Sequence, residues 1–280
     1  MGRRRRPIER SDAVRKNMIR RRAFTLIELL VVIAIVALLI AILLPALGRA
    51  RVSSRQTKAL ANARSVAQSF ELYLGANAEA YPFTPPTEQD PGLPGGGGVV
   101  FVVWYPRGVV IGESSPFTLS WAWPSLVSSV TPWEQAYETW VSPGKDTDLP
   151  ELPADGQAEE INPREDVSWR LSGAFLADPR AFATTPPASP VPPKQLIRAV
   201  KGHEVALPAA KALVWDTHLA YLPEPRLVDG HWDALTPTAF ADGHAEARNP
   251  TEAKPGVANA LTGESRALAN TAEGVRGVDY

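Results

Sequence analysis

The chain has 280 residues, a formal net charge of −1 and no cysteine. That length admits one large domain or two small ones, and the lack of thiols excludes disulfide staples and thiolate metal sites. An extracytoplasmic location stays open, because a domain that buries an adequate core needs no staples.

The near-zero charge is the sum of two opposed regions. Residues 1–23 hold ten Lys/Arg and two Asp/Glu, a net of about +8, and the remainder holds 19 basic and 28 acidic residues, about −9. Basic residues beside an apolar run stay on the cytoplasmic side of a membrane, so an acidic body is expected outside. A basic head also suits a nucleic-acid tail. Here Arg20–Arg22 abut a run of membrane length, and no nucleic-acid partner is expected.

From Leu29 to Gly48 there is no charged side chain, which is about 30 Å of helix at 1.5 Å per residue. Leu, Ile, Val and Ala occupy every face, without the polar stripe of a soluble amphipathic helix. Pro45 removes one backbone hydrogen bond near the far end and predicts a kink, which membrane helices tolerate. After Gly48 the apolar residues Ala59, Ala63, Val66, Ala67, Phe70 and Tyr73 or Leu74 recur at helical spacing, with Arg51, Arg55, Lys58, Arg64 and Glu71 between them. The spacing predicts one nearly continuous helix from about Phe24 to Leu74, stopped near Gly75 and closed by Tyr81-Pro82, with its second half resting one face on a globular body.

One acid, Glu28, stands at the entrance of the apolar run. A carboxylate inside a bilayer costs roughly 2.5–3.5 kcal/mol and needs a partner. Arg21 and Arg22 are the local candidates.

The stretch "AFTLIELLVVIAIVALLIAILLPAL" closely resembles the N-terminus of type IV prepilins and type II secretion pseudopilins from Arg20 to about Leu47. In that family a basic leader ends in a small residue, usually Gly, before Phe-Thr-Leu-Ile-Glu, and a membrane peptidase cuts before the Phe and methylates its new amino group. The resemblance implies cleavage between Ala23 and Phe24, N-methylation of Phe24, an assembly role for Glu28 as the fifth mature residue, and a match of Pro45 to the helix-bending proline. Ala23 replaces the usual Gly, and it is also small. In the family the Glu28 carboxylate meets the new amine of a neighbouring subunit, so that a misplaced neighbour leaves two unpaired charges in an apolar bundle. A 23-residue leader is long for the family. Met18, which opens "MIRRRA", is an alternative start.

Residues 81–280 hold 25 of the 27 prolines and all eight tryptophans. Short β-branched runs between Pro/Gly breaks argue for short strands and long loops. The expected strands are Val99–Trp104, Arg107–Ile111, Gln195–Val200, Ala212–Asp216 and Thr238–Asp242. The connectors are "PGLPGGGG", the acidic stretch Ser142–Pro163 and the Pro-rich Thr184–Pro193. The tryptophans are expected as core anchors, with a carbohydrate or peptide surface as the alternative.

Asp216-Thr-His218, Asp229-Gly-His231 and Asp242-Gly-His244 repeat Asp-x-His at thirteen-residue steps. On a strand, i and i+2 share a face, so each pair is a candidate oxygen and nitrogen donor set for a metal. Turn chemistry is the favoured reading of the Asp-Gly pairs, and "FADGHAEA" reads as strand, turn, strand. "TAFADGHAEA", with His231 upstream, is similar to the DGH-type C-terminal hairpin of a large group of prepilin-like proteins. Their pattern places nine residues between that His and Asp-Gly, where this chain has ten. "PGGGGVV" lacks the Lys-Ser/Thr of a phosphate loop.

The expected fold is α+β: a long hydrophobic-then-amphipathic N-terminal helix packed on a small antiparallel sheet with long loops. The expected organisation is a leader (1–23), the helix (24–80, with 24–48 spanning the membrane), a periplasmic body (81–248) and a flexible tail (249–280). The resemblance implies a structural subunit of a secretion pseudopilus or pilus-like fibre in the inner membrane, not an enzyme, and no cofactor. Its implied partners are a prepilin peptidase, other pilin or pseudopilin subunits and an inner-membrane assembly platform. The rival readings are a membrane-tethered metal-binding protein or hydrolase using the Asp-x-His cluster, and an ordinary exported protein cut after Ala50.

Overall fold

The apolar run and the amphipathic stretch after it form one helix, α1 (Leu26–Ala76), which stays helical on both sides of Pro45. The computed structural model describes residues 25–83, 99–105, 108–114, 117, 119–145, 167–185, 193–228, 231–263 and 265–280. The chain divides into two compact units, one up to Arg49 and one from Ala50 to Tyr280. In the first unit every described residue is exposed, including all the large apolar side chains from Leu26 to Leu47.

In the second unit the helix buries Ala59, Asn62, Ala63, Val66, Ala67, Ser69, Phe70 and Leu74. These are the apolar positions expected from the spacing, joined by two small polar residues that reach backbone acceptors. Asn62 donates to the carbonyls of Glu138 and Val141 at 3.3 Å each, and Ser69 donates to its own helix at Ser65. The helix end is tied down by its neighbours. Ala78 and Glu79 adopt the left-handed region, Glu79 N–H returns to the Leu74 carbonyl, and Tyr81 N–H donates to Val200 at 2.8 Å. Lys201 Nζ then takes the Ala78 carbonyl at 2.9 Å. Tyr81 is buried against Phe175, ring centroids 4.5 Å apart.

A four-stranded antiparallel sheet forms the centre of the body, in the order β3 (Trp169–Leu171), β4 (Ala212–Asp216), β7 (Thr236–Phe240), β8 (Ala245–Arg248). Strand β4 falls where the sequence predicts it. Strand β7 starts and ends two residues early, because Asp242 belongs to the turn into β8. Strands β1 (Val99–Tyr105) and β2 (Gly108–Ser114) pair as a separate hairpin, and β5 (Leu227–Val228) pairs with β6 (His231–Trp232). The connector "PGLPGGGG" and residues 146–166 lie outside the described residues.

Two helices, α2 (Leu119–Val127) and α3 (Trp133–Trp140), had no periodic signal. Each is short, α2 contains Pro124 and Pro132 precedes α3. They are held by aromatic packing instead of propensity. Trp123 packs between Phe70 of α1 (ring centroids 5.1 Å apart, tilted) and Trp140 (5.5 Å, edge-on), and its Nε1 donates to the Trp169 carbonyl at 2.9 Å. Trp123, Trp140, Trp169 and Trp215 are all fully buried, so the tryptophans with described burial at the core are anchors, as expected.

Two expectations need correction. Gln195–Val200 is not a strand: Pro193–Leu196 makes one helical turn, residues 197–200 belong to no ladder, and a single bridge follows at Lys201. Pro193 opens the turn, because its fixed φ suits a first helical position. The segment 249–280 is not a loose tail. Leu261, Leu268, Ala269 and Val275 are buried, and backbone bonds tie Ala260 to Ala181, Glu273 to Phe182 and Asp279 to Ala210. Its apolar residues are too few and too irregular to show a period, yet each fills a gap left by a loop-rich body.

A charged network fixes the loops beneath that segment. Asp178 caps the turn Pro179–Phe182 and accepts from Arg180 N and Nε at 2.9 Å and from Arg198 Nε at 2.7 Å. Arg198 also grips Glu204 through both terminal nitrogens at 2.9 Å. Burial pushes the Asp178 carboxyl up, but the bonds from Arg180 and Arg198 outweigh it and hold it at about 2. The folded value lies below the unfolded one of about 3.9, so this stabilisation is complete above about pH 5 and is lost as pH falls towards 2. Asp178→Asn is expected to lower stability at pH 7, with the gap to the parent closing as a urea titration is repeated between pH 5 and 2. A gap that stays constant over that range contradicts this.

Candidate functional site

The N-terminal end of α1 is built by two residues of the Phe-Thr-Leu-Ile-Glu stretch. Thr25 precedes the helix, and its Oγ1 accepts from the Glu28 backbone N–H at 3.2 Å. Glu28 Oε2 in return accepts from Thr25 N and from Thr25 Oγ1, both at 2.9 Å. This is a reciprocal capping box, which satisfies helix-terminal N–H groups that otherwise have no partner. The sequence carries its signature, Thr-x-x-Glu directly before an apolar run, and the partner it gives Glu28 is uncharged, unlike Arg21 and Arg22. All three bonds leave Glu28 Oε1 without a partner among the described residues. Ala23 and Phe24 lie outside the described residues.

Beyond Glu28 the helix presents apolar side chains on all sides, and it is long and apolar enough to cross a membrane. Exposed leucine, isoleucine and valine at this density are incompatible with a water-facing helix. Residues 18–44 match the family model of the prokaryotic N-terminal methylation motif. The chain carries a prepilin-type N-terminus. That motif is characteristic of type IV prepilin- and pseudopilin-like proteins, and its match covers the Arg20–Arg22 flank, Phe24, Glu28 and most of the apolar run, ending one residue before Pro45. Comparison with curated proteins and with solved structures gives no match.

The prepilin-type segment is distinct from the Asp-x-His positions, which the body uses in other ways. Asp216 is fully buried at the end of β4. It accepts from Ser142 Oγ at 2.6 Å, from His218 N at 2.8 Å and from Leu219 N at 3.1 Å. Burial pushes its carboxyl up, and these bonds oppose that shift. His231 is buried on β6, beside Trp215 at 6.1 Å. Asp229 lies outside the described residues. Asp242 and His244 form the β7–β8 turn: Gly243 takes φ 85°, Asp242 accepts from His244 N at 3.1 Å, and the His244 ring stacks on Phe240 at 4.4 Å. Among the described residues no group of three or more His, Asp or Glu is arranged to hold a metal ion.

Asp216 therefore joins the end of α3 to the loop after β4. Asp216→Ala strips the acceptor from two backbone N–H groups and one hydroxyl in a buried site. The expected loss is about 2–4 kcal/mol, read as a lower urea midpoint. A loss below about 1 kcal/mol contradicts this role.

Proposed function

We propose that the chain is a prepilin-like structural subunit of a type II secretion pseudopilus or type IV pilus-like fibre. It waits in the inner membrane with its basic leader in the cytoplasm and its acidic body in the periplasm. A prepilin peptidase cuts before Phe24, and the subunit then enters a fibre on an inner-membrane platform through α1, beside other pilin or pseudopilin subunits. The observation that carries this reading is the methylation-motif match joined to the geometry of Glu28. The carboxylate is half-satisfied by its own Thr25 and keeps one oxygen open. In an apolar bundle that oxygen calls for a cation, and the amine created at Phe24 supplies one.

The lack of native cysteine makes the test direct. The double variant Val31→Cys/Leu38→Cys, with both positions on the exposed apolar surface, is expected to give disulfide-linked ladders on treatment with a thiol oxidant only in cells that contain a prepilin peptidase. Equal cross-linking without the peptidase, or none with it, defeats the proposal.

A further inference from the structure

We propose that the first turns of α1 after the apolar run form a docking surface for anionic phospholipid headgroups. This rests on the reading that residues up to Leu47 lie in a bilayer. No Asp or Glu occurs between Glu28 and Glu71, whereas Arg49, Arg51, Arg55, Lys58 and Arg64 all fall in that interval. Arg51, Arg55 and Lys58 are spaced i, i+4, i+7 and therefore share one helix face. All three are exposed. None of them takes part in an ion pair among the described residues.

Their place in the chain selects the partner. Arg51 follows Leu47 by four residues, about 6 Å of helix, and Lys58 follows it by about 16 Å. Long basic side chains reach back towards a headgroup layer from such positions. The same turns are anchored to the body on their other side, where Leu219, Tyr221, Leu222 and Trp232 pack with Val52 and Ala59 of α1. Cations that follow the exposed Leu43, Leu44 and Leu47 along the same helix are the composition of a lipid interface.

The placement also runs against the usual charge bias, which keeps Lys and Arg on the cytoplasmic side. The ten cations of residues 1–23 outweigh it while the leader is attached. Once a cut before Phe24 removes them, the new amine at Phe24 is the one cation left at that end, against Arg49, Arg51, Arg55 and Lys58 on the body side, so the cut leaves the subunit held at the periplasmic leaflet.

Native mass spectrometry of the protein isolated from cells that hold a prepilin peptidase, in mild detergent with equal phosphatidylglycerol and phosphatidylethanolamine, tests this. The parent is expected to retain phosphatidylglycerol preferentially. Each cation at an anionic surface contributes on the order of a fivefold preference, and R51Q/R55Q/K58Q is expected to lower the retained ratio on the order of 100-fold, with R64Q on another face close to the parent. An unchanged ratio in the triple variant overturns the proposal, as does an equal fall in R64Q. Loss of dimers with no change in lipid ratio also overturns it and assigns the stripe to a second copy of the chain. Near-ultraviolet circular dichroism confirms that each variant is folded. The intact mass in the same spectra reports whether the chain begins at methylated Phe24, so failure of the prepilin reading is seen separately.

Discussion

Glu28→Gln subunits are expected to insert into the membrane as well as the parent and to fail in assembly, with fibre incorporation falling roughly 100-fold. The magnitude follows from a buried charge pair reduced to one unpaired charge, about 3 kcal/mol or more. The capping box makes this substitution informative. Gln at the third helical position can still accept from Thr25 N, so the helix start survives and only the charge is lost. Thr25→Val is the complementary control. It removes the hydroxyl, at a cost of about 1 kcal/mol, yet leaves the carboxylate. It is therefore expected to assemble far better than Glu28→Gln. If the two variants assemble equally poorly, the role of Glu28 is helix capping, not pairing with a neighbour. The arginines at 20–22 cannot be its lasting partners under this account, because a cut before Phe24 removes them with the leader.

The second large effect is on folding. Lys211 is fully buried and lies 3.2 Å from Asp279, with Thr271 bonded to both. Burial pulls the Lys211 ammonium below its ordinary range, and Asp279 opposes that shift. Asp279 also accepts from Ala212 N at 2.8 Å, the first residue of β4. The pair thus fastens segment 249–280 to the central sheet. Lys211→Met leaves a buried carboxylate unpaired and is expected to cost about 3–5 kcal/mol, a fall in melting temperature of roughly 10 °C. Asp279→Asn keeps an acceptor for Ala212 N–H. The double variant Lys211→Met/Asp279→Asn is therefore expected to recover most of the loss, since a neutral pair carries no desolvation penalty. Thermal denaturation of the three variants measures this, and a double variant no better than Lys211→Met contradicts it.

What could be read from the residues divides along physical lines. The helix was legible to within two residues at each end, because twenty charge-free positions and a run of apolar residues at helical spacing are long signals. Its buried face was legible for the same reason, down to Phe70 and Leu74. Strand β4 and the Asp242-Gly243 turn were legible from local chemistry, a β-branched run and a glycine able to take positive φ. Helices α2 and α3 were not. They exist because Trp123 docks on Phe70, more than 50 positions away, and Trp140 docks on Trp123. The docking of segment 249–280 was hidden likewise, since its decisive group, Asp279, meets Lys211 only in the folded chain. At the N-terminus charge alone points from Glu28 to Arg21 and Arg22, whereas the bonded partner is the uncharged Thr25, three residues away. The Asp-x-His repeat shows the reverse error of pattern. Equal spacing in sequence put Asp216 in a buried turn and His244 on an exposed one.

Intact mass and N-terminal sequencing of the mature protein, isolated from cells that hold a prepilin peptidase, test the central claim most directly. The account predicts a chain that begins at Phe24 and carries one methyl group on its amine. A mature chain that begins at Arg51, or one that keeps Arg20–Ala23, contradicts it.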